Sequence, residues 1–335
     1  MNKFKILPFL AVFLVNISCS TETAMQHILG TSVQAPVFLE CRAISASEVL
    51  FRFSQPVSVT SVNFSPALNV SVINEGMEVI VEFSDPPAGG IRITADMLVE
   101  DSDRNTLNVI VPFRSRNDRM PKIIFNELRF DYSNPRVEFI EFLVLEGGNL
   151  GAMRLFIAHQ SMTLPFYEFA PIEVKTGERI VLHMRTLNEN SIDETGDNLA
   201  LSAGNEAMDS ARDLWVPGNR KYLHTPNGLW LMDQDDQIID ALLLSHSPGT
   251  DSSHRTFQAA AEFLGERNAW LPLTGAAEDS WVPDPANAII TTGITATRTL
   301  NRDETVPYER RAGSWYVTVT SGHTPGRVND QRRHN

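Results

Sequence analysis

"LNVSVINEGMEVIVEFSDPPAGGIRITADML", residues 68–98, decides the fold. Apolar residues recur at every second position in two runs. Asn-Glu-Gly interrupts the first run, and Asp-Pro-Pro-Ala-Gly-Gly separates it from the second. Period-two alternation broken by such residues marks half-buried antiparallel strands joined by tight turns. Asn74–Gly76 predicts a hairpin tip, with Val70, Val72, Val79 and Val81 marking the inward faces. Working outward, "EVLFRFSQPVSV" (48–59) and "NTLNVIVPF" (105–113) repeat the pattern, so residues 36–115 read as a small antiparallel sandwich. Beyond it, "RSRNDRMPK" (114–122) is basic and strand-free and reads as an interdomain linker, with Pro121 opening the next element. Its exposed arginines predict a site of proteolytic nicking.

Toward the N-terminus, Lys3 and Lys5 precede an apolar core from Ile6 to Val15, the layout of a secretory signal and too short to span a bilayer. "FLVNISC" (13–19) ends that run at Cys19, and residues 20–35 read as a tether. The box before Cys19 resembles that of a bacterial lipoprotein signal, which implies lipidation of Cys19 and an exported protein held at the cell envelope by acyl chains, in the inner or outer membrane. Ordinary cleavage just after Cys19, and a disulfide to Cys41, are the alternatives. Cys41 lies in an apolar strand-like run, where a small buried side chain is the plain reading.

The chain of 335 residues has room for two domains, and 42% hydrophobic with 21% charged residues is ordinary globular composition. A net charge of −13 argues against binding a phosphate backbone, so no nucleic acid partner is expected. It would also be repelled by an anionic lipid surface, leaving the N-terminal anchor as the expected route to a membrane.

"EDSDRNTL" (100–107) resembles the late turn of bacterial Ig-like modules, where an Asp and an Asn cap the loop before the last strand. After the linker, "KIIFNELRF" and "RVEFIEF" resemble the opening of a lamin-tail domain, an Ig-like sandwich found in nuclear lamins and in bacterial exported proteins. The carriers are Asn126, Glu127 and Glu141. "NLGAMRL" (149–155) is similar to that family's Leu-x-Gly-Trp-x-Leu strand, with Ala152 and Met153 replacing the Gly-Trp pair. "PIEVKTGERIVLHM" and "NGLWLMDQDDQIIDALLL" match its two hairpins, with Asp240 at the position of a family aspartate. Trp315 and the closing "HTPGRVN", with Thr324, Pro325, Gly326 and Asn329, complete the resemblance over residues 120–330. It implies an interaction or tethering module. The expected architecture is all-β: two Ig-like β-sandwich domains in tandem, the second with an insertion at about 245–290. "SSHRTFQAAAEFLGER" within it predicts a helix capped by Ser252 or Ser253, with Phe257, Ala261 and Leu264 on one face and Gly265 near its end. A long Pro/Gly/Trp loop follows.

Chemistry-bearing motifs are sparse. "MDQDDQIID" lacks the Gly and Glu of a calcium loop and reads as a solvated hairpin turn. None of the eight histidines falls in zinc-ligand spacing; His246 and His254 could converge only through the fold. There is no G-x-S-x-G and no phosphate-cradling glycine loop. Glu138 and Glu141, three apart on a strand, face opposite sides and share no site by local geometry. The expectation is therefore a protein without enzymatic chemistry, metal or cofactor, which binds an unidentified protein or envelope ligand. Trp270 and Trp281 are the candidate binding surface, against the alternative that both rings cover the core; Trp270 leans to core because it adjoins the helix, and Trp281 to exposure by its acidic neighbours. The alternative is a hydrolase or nuclease-type protein with a site in the 245–285 insertion.

Overall fold

The computed structural model describes residues 34–247, 254–272 and 284–334. It is all-β with sandwich-like sheets, and one α-helix lies among the described residues. Two separate hydrophobic cores organise the chain.

The first core is built around one strand. After β1 (Phe38–Ala43), β2 (Glu48–Ser65) runs for 18 residues and serves two sheets. Its first half pairs with β1 and with β4 (Gly76–Phe83), itself paired with β3 (Val70–Asn74). Its second half pairs with β5 (Arg92–Glu100), which continues to β6 (Thr106–Arg114). Register shifts between Arg52 and Val57 and between Val59 and Ser61 bend β2 at the changeover. Pro56, which has no N–H to give a ladder, sits in the first shift. Alternation does the rest: Val49, Phe51 and Phe53 face Val79, Val81, Ile93, Ala95 and Met97 in a dry interior. Val70 packs on this core as expected, but Val72 is exposed, at the point where the pairing of β3 with β4 shifts register before Asn74. In the turn before β6, Asp101 Oδ1 accepts the backbone N–H groups of Asp103 (2.9 Å) and Asn105 (2.8 Å), and Asn105 Nδ2 donates to Asp101 Oδ2.

The second core lies between two sheets. One is ordered β14 (Arg212–Trp215), β13 (Arg179–His183), β8 (Phe139–Glu146), β7 (Lys122–Arg129), β18 (Leu300–Arg302), β19 (Trp315–Val317). The other is ordered β11 (Tyr167–Glu168), β10 (Arg154–Ile157), β15 (Asn227–Met232), β16 (Ile238–Ser245), β17 (Ile289–Ile290), and β9 (Gly148–Asn149) with β12 (Glu173–Val174) forms a short ribbon. Helix α1 (Arg255–Glu266) covers the outer face of the second sheet, burying Phe257, Ala260, Ala261 and Leu264. Its Phe263 ring meets Trp230 at 4.8 Å, and Ala260 sits so close to Gly228 that no Cβ fits there. This covering explains why "GLWLM" (228–232) and "ALLL" (241–244) are apolar at every position: a strand buried on both faces loses its alternation. The N-cap position of α1 is His254, with no side-chain cap bond. The expected serine cap gives way because the helix starts one residue later than "SSHR" suggested, and Ser252 and Ser253 lie outside the described residues. Gly265 is the last residue but one of the helix, near its end as expected.

The stretch 114–121 is chain that both domains hold. Asn117 Nδ2 donates to the carbonyls of Asn149 and Gly151 (both 2.7 Å), and Gln234 brackets the Asn117 backbone, accepting its N–H at 2.7 Å and donating to its carbonyl at 3.0 Å. Arg116 grips Asp235 with two bonds of 3.0 and 2.9 Å. Ser115, Asn117 and Pro121 are buried. Beside them the Gly89–Gly90 turn of the first domain lies directly on the Gly151–Ala152 backbone of the second. The expected free linker is thus a closed joint. A basic, strand-free composition could not reveal this, because its partners lie far along the chain.

Candidate functional site: an arginine-lined cleft at the joint

Where the joint closes it leaves a cleft of about 470 Å³. β1 and β6 supply one wall through Cys41, Arg42, Pro112, Phe113 and Arg114; Ala152, Arg154, Pro165 and Glu168 of the second domain supply the other, with the turn at Gln234 and Asp235. Four guanidinium groups line this space in a chain whose net charge is −13. Arg114 pairs with Glu168 and donates to the Gly90 carbonyl at 3.0 Å. Arg154 contacts the Asp233 carbonyl and Asp236, the latter at 2.7 Å, and Arg42 meets Glu40 at 2.9 Å. The hydrogen bond and charge of Arg116 hold the Asp235 carboxyl below its ordinary range. Burial, with Glu40 adding to it, pushes the Cys41 thiol up to about 12, so it stays protonated and unreactive in the cleft wall.

The acidic turn read as a solvated hairpin is part of this construction. Asp233 Oδ1 organises it by accepting the N–H groups of Asp235 (2.8 Å) and Gln237 (2.9 Å), and the next three side chains reach the joint or its flanking arginines. The signal available in the sequence was complementarity, "RSRNDR" against "DQDD", which only the fold brings together.

A second polar assembly lies on the outer face of the first sheet of the second domain. A β-bulge between Phe125 and Glu127 leaves Asn126 without a partner and turns Asn126 and Glu127 to the same side. Glu127 then stands opposite Glu141 on β8. The C-terminal segment crosses over both: Thr324 donates its N–H (3.0 Å) and Oγ1 (2.9 Å) to Glu127, and the Gly326 N–H donates to Glu141 at 2.6 Å. Asn126 Nδ2 and Arg179 each donate to Glu141 Oε1 at 2.8 Å, and Asn329 Nδ2 donates to the carbonyls of Asn126 and Arg302. Gly326 has φ +75°, and a Cβ there would press on Ala211. Pro325 is placed between these two anchoring residues. Asp240, fully buried, accepts from Arg302 (3.1 Å), Tyr308 (2.6 Å) and the N–H groups of Phe125 and Ala241 (both 2.8 Å). The Arg302 guanidinium lies over the Trp315 ring at 4.5 Å. So Asn126, Glu127, Glu141, Asp240, Trp315, Thr324, Gly326 and Asn329, singled out separately in the sequence, join two connected buried networks.

The carboxylate pair was invisible to local reading. Glu138 and Glu141 do face apart, and Glu138 is taken by Arg185 through two bonds of 2.5 Å. Glu127 is the true neighbour, from another strand. Burial pushes both carboxyls up, Glu141 to about 8 through desolvation and then the charge of Glu127, against the pull of Arg179. The folded chain thus keeps a proton that the unfolded chain sheds near the ordinary value of 4.5. This contribution to stability is complete below pH 4.5 and falls as pH rises toward 8. Glu127→Gln, by removing the facing charge, should flatten that decline in urea-unfolding free energies measured from pH 5 to 9. An unchanged slope would show that the pair does not share a proton.

Other expected residues fall elsewhere. Trp270 is no binding surface: only 1% exposed, it packs in the second core, and its Nε1–H donates to the Asn287 carbonyl at 2.8 Å. The helix it follows and the turn at Asn287 close over the ring. Trp281 and Cys19 lie outside the described residues. His159 and His224 have ring centroids 4.9 Å apart, with His254 near enough to help lower the His159 pKa, after burial and His224; His246 lines a cleft of about 300 Å³ with His224. Among the described residues no group of three or more His, Cys, Asp or Glu could hold a metal ion. His183 Nε2 meets Asp213 Oδ1 at 2.6 Å beneath a stacked Trp215, but both residues are wholly buried, so this contact braces the sheet. No helix among the described residues is long and apolar enough to cross a membrane.

Residues 121–317, the whole of the second sandwich up to its last strand, match a family named TP_1001_2nd and described as a protein second domain. The chain belongs to this family. The matched segment starts at the last residue of the joint and ends with β19, so the family unit coincides with the two sheets that enclose the second core. An uncharacterized protein of Treponema pallidum (strain Nichols) is 29% identical over 204 residues, which is 57% of this chain and 50% of the relative. The chain therefore spans about half the length of that relative.

Proposed function

We propose that the protein is a non-enzymatic, exported binding module, held to the bacterial cell envelope by a lipid on Cys19, that presents a rigid two-domain platform to an envelope ligand or protein. The observation that carries this reading is the joint. Two sandwiches locked by Asn117, Gln234 and Arg116 keep one cleft at fixed geometry, and clefts between domains are the usual seats of ligands. The lamin-tail resemblance supports the same reading, since its motif residues are spent on buried contacts that pin the C-terminal segment. Each of the Glu127, Glu141 and Asp240 carboxylates is sealed by donors, which suits a structural role.

Metabolic labelling with a fatty acid, followed by mass spectrometry of the mature N-terminus, tests the anchor. The expected result is an acylated Cys19 and release of soluble protein by Cys19→Ala, because the acyl chains are the anchor. An unmodified N-terminus at Ser20, or a Cys19–Cys41 disulfide, would overturn it.

A further inference from the structure

We infer that the cleft at the joint is a binding site for a compact, multiply charged anion, carrying carboxylate or phosphate groups beside an apolar part. This deepens the proposed function and rests on the cleft being held at fixed geometry.

Arg42, Arg114, Arg116 and Arg154 line the cleft against two carboxylates, Glu168 and Asp235, so its lining is cationic in a strongly acidic protein. Guanidinium groups gather in this way at the cost of mutual repulsion, and their planar forks suit carboxylate and phosphate oxygens. Their present partners are weak competitors. The side chains of Glu40, Glu168, Asp235 and Asp236 are between a third and three quarters exposed, and ion pairs of that kind contribute at most about 1 kcal/mol each. A ligand anion inside the half-enclosed cleft meets several guanidiniums at once, where fewer waters screen them, and can replace those contacts. Arg116 is the exception: its paired bonds to Asp235 close the joint, so it supplies field and not a free fork.

The rest of the lining sets the ligand's other half. Phe113, Pro112, Ala152 and Pro165 form an apolar surface next to the cations, and the Cys41 thiol is uncharged. A fully hydrated inorganic ion would leave that surface unused, whereas an anion with an aliphatic or ring portion would cover it. The 470 Å³ volume suits a small ligand or the end of a chain and excludes a folded partner.

Calorimetric titration of the full chain with citrate, and separately with inorganic pyrophosphate, tests the inference. Saturable binding of at least one, with a dissociation constant of about 1 mM or below, is expected. Citrate alone would identify a carboxylate site, pyrophosphate alone a phosphate site, and both a site selecting by charge. The variant Arg42→Gln with Arg154→Gln leaves the joint contacts of Arg116 and Asn117 in place and should weaken binding at least tenfold. Glu168→Gln, which frees Arg114, should tighten it. Absence of saturable binding by both probes, or binding unchanged in the double variant, overturns the inference. Trypsin resistance of residues 114–120 in the same preparation separates the two failures. If the joint is cut freely, the rigid-platform reading falls; if it resists and no anion binds, only the anion site falls.

Discussion

Trypsin should leave Arg114, Arg116 and Arg119 uncut in the folded protein, and Asn117→Ala should expose all three. The wild-type backbone there is bonded on both sides, with Asn117 satisfying two carbonyls and Gln234 holding its peptide. Truncating Asn117 leaves the buried carbonyls of Asn149 and Gly151 without that donor, at a cost of about 1–3 kcal/mol. Nicking follows the population of the open form when closing is fast, so cleavage should accelerate about 5- to 150-fold. Gly90→Val reaches the same end by another route. Gly90 has φ +81°, and a Cβ there would run into the backbone of Gly151 and Ala152. Both sandwiches should persist as folded fragments, each retaining its own core. Rapid cleavage of the wild-type chain within 114–120 would show that the joint is open in solution.

The second large effect is expected at Asp240. Asp240→Ala should lower unfolding stability by about 3–5 kcal/mol, the range for breaking a buried ion pair from one side. Arg302, itself buried under Trp315 and Tyr308, would lose its carboxylate, and the N–H groups of Phe125 and Ala241 would lose their acceptor. Burial pushes the Asp240 carboxyl up while Arg302 and Tyr308 pull it down, so the site is held by its partners and not by solvation. Asp240→Leu combined with Arg302→Met should recover much of the loss, because the pair is then replaced by apolar volume. Urea denaturation of the two single variants and the double variant measures the coupling directly. Additive losses would mean that the two groups do not depend on each other.

Much of the architecture was legible because local patterns agree with it. The alternation in "MEVIVEF" and "RITADMLV" became β4 and β5, with Val79 and Val81 inward as expected, since a period of two can bury only one side of a strand. Phe257, Ala261 and Leu264 became the buried face of α1 for the matching reason at a period of 3.6. The resemblance also picked out residues that do meet, from Asn126 to Asn329, although nothing local says that Thr324 would close on Glu127 across 197 positions of chain.

What the sequence does not show is where its charges go. The acidic turn is solvated, as expected for Asp235 and Asp236, yet Asp235 and Gln234 also clasp the joint, and Glu127 and Glu141 lie buried face to face. Trp270, one of two candidate anchors with a lean to core, is core because α1 brings it back onto the second sheet. A sequence records which side chains prefer water; it does not record which opposite charge will arrive from a hundred residues away.

The sequence by itself determined the all-β class, the two stretches able to form cores and the helix that begins near residue 255, because hydrophobic period and turn chemistry act over a few residues. Only the tertiary structure decided that residues 114–121 form a joint, that a bulge at Asn126 turns Glu127 toward Glu141, and that four arginines from two domains share one cleft. Those outcomes rest on contacts 15 to 119 residues apart in sequence. Such contacts depend on burial and on the low dielectric it creates, and neither exists until the chain has folded.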